Sequence, residues 1–343
     1  MAVQTYEKSP STTIYHKLPL KINNDRARDT SSILVMIPGN PGLIEFYTTY
    51  LDLIQTEFPA LEVLCISHAG FQTSEPVNSE KFKFYDLEYQ IKHKFDIISE
   101  FITQKLDDGY NNVELYFLSH SVGSYVHQRV IRMLLQEKEL HGKFSIKFTG
   151  LICPTIVDIA QSDNGQFFTK LFSLLPIISI SLWVAWLLNT ILPEAMAKSI
   201  IAKRFVEKPK SNDTDSVESW QNSVTGAYKL YSSQRLIEQA LNLARQEMLV
   251  ITRDDIINDW FFQQLSEIKI WTFFAEKDHW VHNSSRDYTL RKYHDLTNNN
   301  LLFEVGSSED AITHSFCVNQ SVEFSKLTIK AIRSLDLDIA YEN

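Results

Sequence analysis

The sequence predicts an α/β protein, with a mostly parallel central sheet, helices on both faces and an inserted, largely helical cap. Short apolar runs rich in β-branched and aromatic residues alternate with helix-length amphipathic stretches, the pattern of a parallel sheet wrapped by helices. The alternation breaks once, between about 156 and 265, where two strands lie too far apart for a simple crossover. The length of 343 residues exceeds most single cores, yet one α/β domain carrying such an insertion reaches it.

The elements follow in order. Strands are expected at 33–37, 62–67, 113–118, 148–153, 269–275 and 301–305. Helices are expected at about 43–57, 86–105, 122–138 and 283–294, with a last one after His314. The main unit is therefore discontinuous, formed by 1–155 and 266–343, and the cap is 156–265.

Composition narrows the partners. Hydrophobic residues make up 44% and charged residues 22%, both ordinary for a chain that builds a large core. The net charge of −9 and the lack of a dense Lys/Arg cluster argue against nucleic acid. Cys65, Cys153 and Cys317 are widely spaced and form no CxxC pair, so neither a disulfide framework nor a zinc knuckle is expected and a reducing, cytosol-facing compartment fits. The opening residues, MAVQTYEKSPSTTIYHKLPL, show neither the apolar core of a secretory signal nor the Arg-rich pattern of a transit peptide. The Asn-x-Ser/Thr tripeptides at Asn212, Asn283 and Asn319 then read as chance matches. No glycine-rich phosphate loop occurs, and Asp278, His279 and His282 lack a second ligand set of recognised spacing, so no cofactor and no metal are expected.

The chemistry begins at LSHSVGSY, 118–125, which follows the strand at 113–118 and opens the helix at 122–138. A serine on a sharp strand-to-helix turn, with small residues two places to either side, is how an activated nucleophile is presented. Here the flanking pair is Ser119 and Gly123, where Gly-x-Ser-x-Gly is usual. The plain alternative for Ser121 is a helix N-cap. A serine hydroxyl also needs a base, a group orienting that base and donors for an oxyanion, and in this fold the partners follow in the order Ser, acid, His.

The strand in IKIWTFFAEKD ends at Asp278, on the carboxyl edge where α/β sheets carry their sites. Asp254, Asp255, Glu276 and Asp310 compete for the role of acid, and the strand-end position favours Asp278. Among His279, His282, His294 and His314, only His314 lies in a loop after the next strand, where the base belongs. The run ILVMIPGNPG supplies an early strand and loop, with Gly39 and Gly42 admitting turns closed to other residues. It points to the Asn40 N–H, with the Val122 N–H, as oxyanion donors. Four elements in one required order predict a serine hydrolase of the α/β-hydrolase fold.

The motifs IPGNPGLIEFY at 37–47, LSHSVGSY at 118–125, AEKDHWV at 275–281 and THSF at 313–316 give a chain that resembles the lipid-droplet-associated hydrolase family over about 33–330. Pro-Gly-Asn-Pro-Gly followed by Phe46-Tyr47 is the most specific of them. The family usually shows Gly-His-Ser-Ile-Gly-Ala-Tyr at the elbow; this chain has Ser119, Val122 and Ser124 in place of the first Gly, the Ile and the Ala, and Ser119 bears on catalytic efficiency more than on fold. The resemblance implies a serine esterase or lipase acting on neutral lipid esters, triacylglycerol or sterol ester, at lipid droplets and endoplasmic reticulum. Two other readings remain open: a non-catalytic relative that organises droplets, and an esterase or thioesterase for soluble substrates.

The cap contains LFSLLPIISISLWVAWLLNTILP, 171–193, with no charged residue. It is long enough for the about 20 residues that cross a hydrocarbon layer. A single crossing would part Ser121 from Asp278 and His314, so the segment is expected not to span: it packs internally as a cap helix pair, dips into one leaflet as a helical hairpin, or lies flat on a lipid surface as a lid, with docking on lipid favoured. Pro176 breaks or kinks a helix. Trp183 and Trp186 suit a headgroup boundary, and Lys198, Lys203 and Arg204 could meet anionic lipid.

Overall fold

The apolar runs become strands in a computed structural model, which describes residues 2–7, 12–21, 29–72, 83–209, 211–295 and 297–335. Residue 1 and residues 336–343, the outer ends of the two segments expected to form the main unit, lie outside the described residues. The strands are β1 (Val3–Tyr6), β2 (Thr12–Lys17), β3 (Thr30–Ile37), β4 (Glu62–Ile66), β5 (Asn112–His120), β6 (Phe144–Ile152), β7 (Lys269–Phe274) and β8 (Leu301–Val305). They form one sheet in the order β1-β2-β4-β3-β5-β6-β7-β8. From β4 through β8 every pairing is parallel, while β1 with β2 and β2 with β4 are antiparallel. The expected strands are all present; β1 and β2 extend the sheet beyond them.

Residues of β4 are buried throughout, and β5 is buried over its last six positions. Strands covered on both faces read as continuous apolar runs, which is why these were visible in the sequence. The helix Leu87–Asp107 is capped by Asp86, whose side chain accepts from the Tyr89 N–H. It buries Leu87, Gln90, His93, Lys94, Ile97, Ile98, Phe101 and Ile102, a stripe at helical spacing. Beneath β7 the aromatic core is dense: Phe324 lies 4.1 Å from Phe316 and 4.9 Å from Phe273, centroid to centroid.

Between β6 and β7 the described residues contain helices and no strand. Thr214–Ser232 ties this cap to the main unit through Asn222, which donates to the Thr48 and Thr49 hydroxyls, and Ser223, which donates to the Val318 carbonyl at 2.7 Å. The apolar segment is broken at Pro176 into helices Asp163–Leu174 and Ile177–Ile191, bent by 90°. Among the described residues no single helix is long and apolar enough to cross a membrane, although this bent pair together passes by length and composition. Trp183 and Trp186 are 59% and 52% exposed, and Leu174, Ile191 and Phe205 are also exposed.

Candidate active site

Register brings the strand ends together. In the ladder His120 stands beside Ile152 and Ile152 beside Phe273, so the residues that follow β5, β6 and β7 emerge side by side. The Ser121 N–H then donates to the Ile152 carbonyl at 3.0 Å, and the Cys153 N–H to the Phe273 carbonyl at 2.7 Å.

Ser121 has φ 54° and ψ −125°, a conformation that a residue with a Cβ adopts only under strain imposed by its surroundings. Its hydroxyl makes no cap to the helix Val122–Gln136, so it is not an ordinary N-cap. A Cβ at Gly123 would lie 2.4 Å from the Ile37 carbonyl oxygen, which requires glycine there. Ser119 is accommodated because its hydroxyl has partners: His127 Nδ1 at 2.7 Å and the Gly150 carbonyl at 3.3 Å. Burial pushes the His127 pKa down to about 3, so that ring stays neutral.

His314 Nε2 lies 2.9 Å from Ser121 Oγ, and His314 Nδ1 lies 2.8 Å from Asp278 Oδ2. Asp278 Oδ1 accepts from the Trp280 and Val281 N–H groups at 2.7 and 3.0 Å. Burial pushes the Asp278 carboxyl up, but His314 and the two amides outweigh it and hold it below the ordinary carboxylate value. Cys153, at φ 45°, sets its thiol beside this carboxylate, and burial first and the Asp278 charge second push that thiol well up, so it stays protonated. The ligand atoms of Cys153, Asp278 and His314 lie within 4.8 Å of one another, but the His314 and Asp278 atoms are engaged with each other.

A second chain of contacts runs beneath the first. The Gly39 N–H donates to Tyr47 Oη at 3.0 Å, Tyr47 Oη lies 2.8 Å from His120 Nδ1, and His120 Nε2 lies 2.8 Å from the His314 carbonyl oxygen. A carbonyl only accepts, so His120 carries its hydrogen on Nε2 and takes the Tyr47 hydroxyl hydrogen on Nδ1. Burial, with the His314 charge second, pushes the His120 pKa down to about 3 and keeps that arrangement neutral. The Pro-Gly-Asn-Pro-Gly loop and the His314 loop are thereby joined through one imidazole.

Among the described residues neither the Asn40 N–H nor the Val122 N–H is taken up by a hydrogen bond, and Val122 opens its helix, where N–H groups have no intrahelical partner. Contrary to the expectation from the sequence, neither Gly39 nor Gly42 sits at positive φ. Space is what excludes a side chain at Gly42: a Cβ would come 2.6 Å from the His68 ring. The competing residues are occupied elsewhere. Asp254 pairs with Arg129, Asp255 with Arg253, Asp310 with Ser307 and Glu276 with Ser308, while His279 is exposed and His282 caps the helix Asn283–Tyr293.

Ser121 and His314 open into a cavity of about 510 Å³ lined mainly by apolar side chains, among them Phe46, Ile201, Leu230 and Trp280. That volume is within the range of small-molecule sites. A serine hydroxyl at this distance from an imidazole, itself anchored on a carboxylate, can surrender its proton as it attacks an electrophilic carbon. Sequence reasoning missed Tyr47, His120, Cys153 and the cavity residue Glu247. Tyr47, within the run IPGNPGLIEFY, and His120, adjacent to Ser121, lay in motifs that could have drawn notice.

Sheet order, elbow and cap define an α/β hydrolase. Solved structures of that fold superpose along nearly the whole chain. A serine hydrolase from the bacterium Cycloclasticus zankles covers 97% of this chain and 98% of its own, at TM-score 0.56 and 13% identity. A soluble variant of monoglyceride lipase from Saccharomyces cerevisiae covers 97% and 94%, at TM-score 0.52 and 12% identity. The chain belongs to the lipid-droplet associated hydrolase family, whose model matches residues 30–317. Relatives include the lipid droplet-associated hydrolases of Rattus norvegicus, 26% identical over 86% of this chain and 82% of that protein, and of Drosophila melanogaster, 25% identical over 76% and 78%.

Proposed function

We propose that this chain is a serine ester hydrolase acting on neutral lipid esters at the lipid droplet surface, on its cytosolic face and at the endoplasmic reticulum. One observation carries the reading: the unbroken line of hydrogen bonds from Ser121 Oγ through His314 to Asp278, at 2.9 and 2.8 Å. Ser121 is the nucleophile, His314 the general base and Asp278 the group that fixes the imidazole tautomer and stabilises the imidazolium. As Ser121 Oγ attacks the ester carbonyl carbon, its proton passes to His314 Nε2, and the oxyanion faces the unoccupied Asn40 and Val122 N–H groups. Collapse expels the alcohol, which takes the proton from His314, and leaves an acyl-serine. Water then gives a proton to His314 as it attacks the acyl carbon, and collapse breaks the bond to Ser121 Oγ, which takes that proton back from His314 as the fatty acid leaves.

The lipid surface enters through the cap. Trp183 and Trp186 stand exposed on Ile177–Ile191, with Lys198, Lys203 and Arg204 on the next helix. We assign 171–193 to monotopic docking on a monolayer, where each square ångström of buried apolar area contributes about 25 cal/mol. The family membership and the relatives' names support the droplet as the site of action. Replacing Ser121 by Ala in purified protein is expected to abolish hydrolysis of an ester substrate; unchanged turnover would refute the assignment.

A further inference from the structure

The apolar lining of the cavity is interrupted by a carboxyl group, that of Glu247 on the cap helix Gln234–Val250. Glu247 is 4% exposed. Its Oε1 accepts from Asn40 Nδ2 at 2.9 Å, and the same amide donates to the Ala240 carbonyl at 3.0 Å. Among the described residues Oε2 has no hydrogen-bond partner and no cation pairs with the group. Burial pushes its pKa up to about 8, so the carboxyl is neutral at neutral pH and carries an O–H. A neutral acid is a donor as well as an acceptor, and Oε2, which is not among the chain's sealed-off polar atoms, can offer its hydrogen to what enters the cavity.

The position of Glu247 restricts what that acceptor is. Asn40, which holds it, follows Gly39, and a Cβ at Gly39 would lie 3.1 Å from Ser121 Cβ. The acid is therefore one side chain removed from the loop against which Ser121 packs. A fatty acyl chain offers no oxygen beyond its own ester. The alcohol part of an acylglycerol carries oxygens on the carbons next to the ester, whereas the alcohol part of a sterol or simple alkyl ester carries none nearby.

We propose that Glu247 is a specificity-determining residue that donates a hydrogen bond to a glycerol oxygen of the substrate, selecting acylglycerols over sterol and alkyl esters. The inference rests on the ester-hydrolase reading above and divides the two substrate classes which that reading leaves together. A site built to hydrogen-bond a polar group discriminates against analogues that lack it, because its own buried group is then left unpaired.

The test compares kcat/KM of the full-length protein for glycerol 1-monobutyrate and propyl butyrate, corrected for their rates of hydroxide hydrolysis. The two share the acyl group and the three-carbon alcohol and differ only in hydroxyls. The wild type is expected to prefer the glycerol ester by about tenfold, on the scale of one hydrogen bond to a buried group. Glu247→Leu is expected to bring the ratio towards one, and Glu247→Gln, which keeps an N–H donor, to retain most of it. A wild-type ratio of one, or the same ratio in Glu247→Leu, overturns the assignment. Labelling of Ser121 by a fluorophosphonate in the same preparations then shows that the hydrolase reading survives. Absence of both turnover and labelling in the wild type overturns both. Should Glu247→Leu fail to fold, Glu247→Met, which also removes the donor, takes its place with the same expected and overturning ratios.

Discussion

Around the carboxyl edge of the sheet, Trp271, Phe316 and Phe324 are wholly buried, while on the cap Leu174, Trp183, Trp186 and Ile191 all lie open. Both regions are rich in large apolar side chains, and they differ in what those side chains touch. At the sheet edge they pack on one another and enclose a line of hydrogen bonds that fixes Ser121, His314 and Asp278. In the cap, Ala185 is the fully buried residue of Ile177–Ile191, Ile177, Ile178, Leu182 and Leu187 are half-buried, and Ile180, Trp183, Val184, Trp186, Leu188 and Ile191 are exposed. Contiguous exposed apolar surface marks an interaction site more often than an accident. The contrast separates a region whose apolar residues enclose the hydrogen-bonded line from one whose apolar residues face outward, the face proposed above to dock on lipid.

The largest effect is expected inside the hydrogen-bonded line. Asp278→Asn should lower kcat by about 10⁴, because an amide in place of the carboxylate favours the wrong His314 tautomer. Steady-state kinetics on a soluble ester check this. Next comes the core: Phe324→Ala should lower stability by about 3–5 kcal/mol, read from denaturant unfolding, since the ring packs against Trp271, Phe273, Phe316 and Tyr50.

Glu247 sits between the two regions, and its effect depends on pH. Burial raises its folded pKa from 4.5 to about 8, so its contribution to stability is complete below 4.5 and is lost as pH rises towards and through 8. Glu247→Gln does not ionise. Its stability relative to the wild type should rise between pH 4 and pH 9 by about 2 kcal/mol or more, as a shift of this size implies. Equal pH profiles for the two proteins would show that the acid ionises freely.

The smallest energetic effect is expected on the cap face. The double variant Trp183→Ser, Trp186→Ser should change unfolding stability by less than about 0.5 kcal/mol, as exposed substitutions do. Partition onto triacylglycerol droplets coated with phospholipid should nevertheless fall about tenfold or more, because two aromatic surfaces no longer leave water. Unchanged partition would remove the functional half of the comparison.

The same division governs what could be read from the sequence. Strands β3 to β7 were legible because burial over most of their length makes them apolar runs, the half-exposed β8 because Leu301, Leu302 and Phe303 still form a short one, and Ser121, Asp278 and His314 because strand ends and loop order fix where such groups fall. Pro176 announced the break in the apolar segment. Strand β2, Thr12–Lys17, escaped notice because its place depends on antiparallel pairing with β4, some fifty residues along the chain. Glu247 was silent for a similar reason: it is an ordinary acid on an amphipathic helix until folding carries it 207 positions back to Asn40. The partner of Ser119, His127, lies only eight residues away, yet Ser119 is near the end of β5 and His127 is inside the helix that follows, and no motif marks the pair. Periodicity and order report local structure and strand ends; contacts between distant segments need the fold.

The account depends on an activated hydroxyl at Ser121, and mapping a fluorophosphonate adduct on the purified protein by mass spectrometry tests this most directly. The predicted result is a single adduct on Ser121 in the wild type and none in His314→Ala. No adduct on the wild-type Ser121, or labelling undiminished without His314, would contradict it.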